Sequence, residues 1–220
     1  MGVTPAFHFM TGSIDRDVSG LLGAEIMNSD LMKGALFVHL VEFSQAQLGY
    51  ERVEQVLAGL KLANGGAYTS VGMYPVSDFM NLQGEISAQL NITLDDFSHS
   101  FGRYLIPLLA INHVNTENDH PFDFLERVHG TIHVSVRKIY PNANPPAVEV
   151  VERVGNRSLL LRYSSHRPLA SFCGGMLEGA LNMFSGRHNY VFERRDAEPR
   201  TETAADFYVF EGPEGGSHDA

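Results

Sequence analysis

"LLLRYSSHRPL", Leu159 to Leu169, sets an apolar run in front of a tyrosine, a serine and an arginine at alternate positions. A short apolar stretch that gives way to alternation reads as a strand with one buried face. Successive side chains of a strand point to opposite faces, so Tyr163, Ser165 and Arg167 are expected to project together, with Ser164 and His166 on the other side. A phenol, a hydroxyl and a guanidinium fork all donate hydrogen bonds, and the fork matches a carboxylate or phosphate at two points. The natural guest of such a row is a flat anionic group or a pair of them. The plain alternative is an amphipathic edge strand whose polar side meets water.

Outward from that row the chain changes character on either side. Upstream, "AVEVVERVGNRSLLLRYSS" holds two β-rich runs about Gly155 and Asn156, which predicts a hairpin. Downstream, a helix is expected from about Pro168 to Phe184, and "NYVFERRD" and "ADFYVFEG" read as the last strands. The first half is nearly all helix. Leu36, Phe37, Leu40, Val41 and Phe43 recur at helical spacing, and "YERVEQVLAGLKLANGG" predicts a second amphipathic helix ended by Asn64, Gly65 and Gly66. Ser77 and Thr93 are candidate N-caps of two more, the second of which Pro107 is expected to kink or break. Residues Phe122 to Tyr140 predict another helix, stopped by Pro141 and the pair Pro145 and Pro146.

This order, helices and then sheet with an inserted helix, predicts an α+β fold with a helical N-terminal subdomain and a C-terminal subdomain of antiparallel sheet and helices. Residues 1–31 read as a flexible extension, 32–210 as the domain and 211–220 as a disordered tail.

The formal net charge of −10 opposes nucleic acid as a general partner, because phosphate binding needs a basic patch. Runs such as "LIPLLAI", Leu105 to Ile111, fall well short of the roughly 20 apolar residues that span a bilayer, so no membrane is expected. Cys173 is the only cysteine, which leaves no intramolecular disulfide and suits a cytoplasmic location. It reads as a small buried apolar residue, with a thiolate haem ligand as the weighed alternative. Gly175 and Gly179, one helical turn apart, predict close packing against a neighbour.

In "PFDFLERVHGTIHVSVRKIYP" the residues Leu125, Val128, Ile132, Val136 and Ile139 form one stripe, and His129 and His133 lie on or beside it. Three readings compete. A histidine facing an apolar interior is often a hydrogen-bonded core residue. The pair could bind zinc, completed by His113 or His120, although Gly130 stands where a zincin carries glutamate. Or one imidazole ligates a haem, whose macrocycle needs an apolar cleft between helices. Haem also explains the donor row, since its two propionates are the anionic groups that such a row would hold.

The chain resembles the haem nitric oxide/oxygen binding (H-NOX) domains, the class that includes bacterial gas sensors and the haem domain of soluble guanylate cyclase. The resemblance is carried by "MKGALF" at Met32, "GAYTSVGMYP" at Gly66, "FGRYLIP" at Phe101, the histidine segment ending in "IYPNANPP", and the tyrosine-x-serine-x-arginine signature of Tyr163, Ser165 and Arg167. It implies a haem b (iron protoporphyrin IX) buried between the subdomains, with His133 as its axial ligand and Pro146 pressing on the porphyrin. His129, one turn away, is the alternative ligand under a shifted register. In the family, members that hold oxygen carry a distal tyrosine five residues after the signature arginine. Here that position is Phe172, and Leu36, Leu40, Leu105, Leu109 and Met176 are implied to line the same side, all without a donor.

The resemblance therefore implies a bacterial, non-enzymatic sensor of nitric oxide and carbon monoxide that excludes oxygen, unless Tyr68, Tyr74 or Tyr104 reaches the gas. It implies signalling by release of His133 to a separate histidine kinase or cyclic-dinucleotide enzyme. An oxygen-binding or haem-carrying protein of the same fold, or a zinc protein using the histidine pair, is the alternative. A peroxidase needs a distal histidine and arginine, which the implied pocket lacks.

Overall fold

The structure is a computed structural model that describes residues 30–110, 116–127, 146–185, 189–196 and 198–212. A short antiparallel pair, β1 (Leu31–Lys33) with β2 (Met73–Pro75), opens the first half and sets Met32 opposite Tyr74. Four helices follow from or surround it: α1 (Gly34–Leu48), α2 (Tyr50–Gly59), α3 (Val76–Leu90) and α4 (Leu94–Ala110). Gly34, the glycine of "MKG", starts α1 where no side chain fits, because a Cβ there would stand 2.0 Å from the Thr69 carbonyl oxygen.

The helix ends differ in places from the periodicity. The second helix stops at Gly59, not Asn64, and a loop with Gly65 and Gly66 at positive φ follows. Ser77 lies inside α3, which Pro75 starts without any side-chain cap; a proline in extended conformation already breaks the chain ahead of it. Thr93 does cap α4: its hydroxyl accepts from Asp96 N at 3.1 Å and donates to the Asp96 carboxylate at 2.7 Å. Pro107 does not interrupt α4, which runs on to Ala110. So near the end of a helix a missing N–H removes a single ladder bond and leaves the rest.

The second half begins with α5 (Pro121–Arg127) and continues as β3 (Ala147–Val154), β4 (Ser158–Ser164), α6 (Ala170–Asn182), β5 (Tyr190–Arg195) and β6 (Ala204–Glu211). The four strands form one antiparallel sheet in the order β3-β4-β6-β5. The predicted hairpin is β3–β4, turned by Gly155 at φ 54° and irregular between Val150 and Glu152. Leu159, Leu161 and Tyr163 on β4 and Ala205, Phe207 and Val209 on β6 are buried, the alternation expected of a sheet with one face on the core. The chain divides at Asp30, and residues 31–220 form one unit.

The two halves meet where α4 crosses α6. A Cβ on Gly175 would stand 1.9 Å from the His99 carbonyl oxygen, and one on Gly102 2.3 Å from that of Phe172. On Gly179 it would stand 2.6 Å from Ile106. The backbones are in contact, which is the packing that Gly175 and Gly179 predict. His99 and Glu178 add a 3.2 Å pair across the crossing.

Candidate functional site: a buried tyrosine–serine–arginine loop

The donor row is not a strand row. β4 ends at Ser164, and beyond it the Ser165 hydroxyl accepts from Arg167 N at 3.0 Å while the Tyr163 phenol donates to the Arg167 carbonyl at 3.2 Å. A serine hydroxyl that captures a nearby backbone N–H turns the chain, and Pro168 helps to stop the strand. Tyr163 is thus the last buried residue of β4, and Ser165 and Arg167 lie in the tight turn beyond it instead of on the same pleated face. Tyr163 and Arg167 are buried, at 1% and 6% exposure, and Ser165 is half-buried. Burial pushes the Tyr163 phenol up to about 12, against the opposing hydrogen bond of Ser165, so it is a neutral donor near pH 7.

Arg167 joins the halves. Its Nη2 donates at 3.0 Å to the carbonyl of Leu31, at the head of β1, so the loop lies where the chain enters the helix bearing Leu36 and Leu40. A buried guanidinium must be hydrogen-bonded or paired, and it has five N–H groups to place. The Arg167 guanidinium and the Ser165 hydroxyl are donors of the kind a pair of carboxylates requires, and the Tyr163 phenol becomes a third when it leaves the Arg167 carbonyl. On that chemistry the residues present fit a haem.

The loop is held from behind. Helix α6 has no side-chain cap of its own, and Glu202 takes its first donors: Ala170 N meets the Glu202 carbonyl at 3.0 Å and Ser171 N the carboxylate at 2.7 Å. Arg194 binds that carboxylate at 2.8 Å and the Ser171 hydroxyl at 2.8 Å. Burial pushes the Glu202 carboxyl up, but the hydrogen bonds from Arg194 and Ser171 outweigh it and hold it below its ordinary value. A carboxylate with a depressed folded pKa adds stability above its unfolded pKa and loses it as pH falls through the folded one. Glu202→Gln is expected to lower stability by roughly 1–2 kcal/mol at pH 7. In urea unfolding, the gap between the two proteins should close as the solution is acidified below the ordinary glutamate range; a gap that is constant with pH contradicts this.

Of the residues implied to line the gas side, Leu40, Leu105 and Phe172 are buried, Leu36 and Met176 are half-buried, and Leu109 is exposed at 39%. Leu109 therefore stands apart from the buried set, on the outer side of α4. Pro146 is half-buried at the entry to β3. Phe172 stacks on Phe101 at 5.4 Å between ring centres and meets Phe79 edge-on at 6.1 Å. Phe79 in turn meets Phe37 at 5.3 Å. This aromatic chain links α6, α4, α3 and α1. Helical periodicity marks each of its members as core but does not show that they touch.

Of the three tyrosines that could supply a hidden donor, one is hydrogen-bonded elsewhere and one lies at the surface. The Tyr74 hydroxyl accepts from Thr69 N at 2.9 Å. Tyr104 is partly exposed with its ring 5.1 Å from that of Phe43. Tyr68 differs: its ring lies 4.6 Å from Phe37, and its hydroxyl is buried with no partner among the described residues. Burial first, and then the nearby Asp78 carboxylate, raise its pKa, so it too is a neutral donor.

His133, and with it His129 and His113, lies outside the described residues. Among the described residues no group of three histidine, cysteine or acidic side chains could hold a metal, and no helix is long and apolar enough to cross a membrane. Burial pushes the Cys173 thiol up to about 12, which opposes a thiolate ligand there.

A profile of the haem-NO-binding family matches residues 33–190. Among solved structures, the H-NOX of Shewanella woodyi in the Fe(II)CO state is 30% identical with a TM-score of 0.69, covering 86% of this chain and 99% of its own. An unliganded Fe(II) H-NOX variant from K. algicida is 25% identical with a TM-score of 0.73, over 83% and 98%. The H-NOX of S. oneidensis in the Fe(II)NO state shares the fold at 24% identity and a TM-score of 0.70, over 83% and 100%. No curated protein matches the sequence. A helical half, an antiparallel sheet and a buried donor loop that binds one to the other are thus those of a haem-binding gas-sensor domain. The chain belongs to the haem-NO-binding, or H-NOX, family.

Proposed function

We propose that this domain senses nitric oxide, and carbon monoxide, at haem b and excludes oxygen. The observation that carries the reading is Phe172, buried against Phe101 at the position where oxygen-holding members of the family carry tyrosine. Ferrous haem supplies an iron with one open position for a diatomic gas. The rest is the work of this chain. Arg167, Tyr163 and Ser165 would hold the propionates, with one Arg167 N–H kept on the Leu31 carbonyl and the Tyr163 proton turned from the Arg167 carbonyl it serves here. Leu36, Leu40, Leu105, Phe172 and Met176 line the gas side with no group that donates to a partly anionic oxygen, and nitric oxide and carbon monoxide do not depend on one. His133 would supply the imidazole that ligates the iron, with Pro146 against the porphyrin, and release of that imidazole on binding of nitric oxide would be the signal.

A helix held by one bond has two states, and cutting that bond shifts the balance between them. The shift is read by a separate protein, a histidine kinase or a cyclic-dinucleotide enzyme, and the domain itself catalyses no reaction. We place it in a bacterial cytoplasm. The buried Tyr68 hydroxyl supports the second reading, oxygen binding on the same fold.

The test is an absorption spectrum of the reduced, haem-loaded protein without oxygen, in air and with nitric oxide, repeated for His133→Gly. The wild type should ignore air and lose its histidine bond with nitric oxide, and the variant should need added imidazole to restore the ordinary spectrum. A stable change in air overturns oxygen exclusion, and an unaltered variant moves the ligand to His129.

A further inference from the structure

His120 stands immediately before α5, the helix whose sequence leads on to His133. Its carbonyl accepts from Phe124 N at 3.1 Å, which makes it the N-cap, and Pro121 follows at the position where a missing N–H costs nothing. Its ring does what a serine or aspartate usually does: Phe122 N donates to His120 Nδ1 at 3.1 Å. That hydrogen bond decides the tautomer. With Nδ1 accepting, the ring proton is on Nε2, which lies 2.8 Å from the Tyr190 hydroxyl. Tyr190 donates its own proton to the Asn156 carbonyl at 2.9 Å, so the hydrogen bonds run in one direction from α5 through β5 to the β3–β4 turn.

The same contact is braced by charge. Arg153 on β3 reaches Asp123 at 2.8 Å and Glu126 at 2.9 Å on α5, and bonds the Gly155 carbonyl and the Asn156 side chain in the turn. Asp119 pairs with Arg127 across α5, and Glu211 lies near Tyr190. The cap and the tyrosine both bond the imidazole, and both need Nδ1 bare.

We propose that His120, as a neutral imidazole, is a proton-sensitive latch that fixes the start of α5 to the sheet through Tyr190 and the turn at Asn156. A proton on Nδ1 puts an N–H where an acceptor is required. The latch is whole while His120 is neutral and opens as the pH falls through its titration. His120 and Tyr190 are positioning residues. If His133 is the iron ligand of the proposed sensor, on which this consequence rests, the latch sets how firmly the start of the segment that leads to His133 is tied when His133 lets go.

The test uses the full chain with nitrogen-15 label, wild type and the variants Tyr190→Phe and His120→Asn. Tyr190→Phe keeps a ring 4.8 Å from that of Phe122, and asparagine keeps a cap but cannot titrate. The expected results are a neutral His120 protonated on Nε2 and amide exchange at Phe122 and Phe124 about tenfold faster at about pH 5.5 than at pH 7.5, after correction for intrinsic exchange. Tyr190→Phe should exchange faster already at the higher pH, and His120→Asn should show no pH step. A proton on Nδ1, or a step that persists in His120→Asn, overturns the latch. These readouts need no haem, so failure of the sensor reading is separate from failure of the latch. In the haem-loaded protein, the rate of histidine release with nitric oxide should show a pH step that His120→Asn lacks; release at one rate in both overturns the consequence for signalling.

Discussion

Gly175→Ala is expected to lower the stability of the domain by about 3 kcal/mol or more, at the severe end of overpacking. The Cβ would fall 1.9 Å from the His99 carbonyl oxygen and 2.7 Å from its carbon. Those atoms are helix backbone, so no rotamer change relieves the overlap, and α4 and α6 must separate. Separation strips contact from Phe172 and Phe101, the aromatic pair that spans the same crossing. With a net stability of about 5–15 kcal/mol for a typical domain, a loss of this size is a large fraction of the total. Gly84→Ala is the control: it lies within α3, and a Cβ there meets nothing within 4 Å. Alanine at that site should stabilise by roughly 0.5–1 kcal/mol. Urea unfolding of the three proteins decides the matter, and equal midpoints for wild type and Gly175→Ala would contradict the close crossing.

On the proposed exclusion of oxygen, Phe172→Tyr is expected to yield a protein that holds oxygen in air. The substitution adds one hydroxyl to a buried ring and removes nothing from the stack on Phe101. A hydrogen bond to a charged group is worth about 1.5–3 kcal/mol. That is roughly ten- to over a hundredfold in oxygen affinity. Phe172→Leu, which enlarges the pocket without a donor, should leave oxygen binding unchanged. An absorption spectrum of each reduced, haem-loaded protein in air reads the outcome. If the wild type already binds oxygen and Tyr68→Phe abolishes it, the donor is Tyr68, whose hydroxyl is buried without a partner among the described residues.

Much of the architecture was legible along the chain because its signals are local. The β3–β4 hairpin follows from alternation on either side of Gly155, and Thr93 announces a cap that the hydrogen bonds to Asp96 confirm. Helix ends were less legible. Pro107 argues for a break, yet α4 continues, because a ladder lacking one bond near its end is still a ladder. The donor row shows the limit for side-chain direction. Strand alternation places Tyr163, Ser165 and Arg167 on one face, but a serine hydroxyl can serve its neighbour's N–H instead, and here it does.

The sequence by itself determined the order of helix and sheet, the identity of the donor residues, the glycines meant for close approach and the absence of a donor at position 172. These depend on periodicity, on residue chemistry and on spacing, all of which are properties of the linear chain. Only the tertiary structure decided what each residue meets. Arg167 finds the carbonyl of Leu31, 136 positions away, and His120 finds the hydroxyl of Tyr190, 70 positions away. Gly175 lies against His99 because two helices cross there and nowhere else. Such contacts close long loops, and burial of the whole core, not any local preference, stabilises their closure.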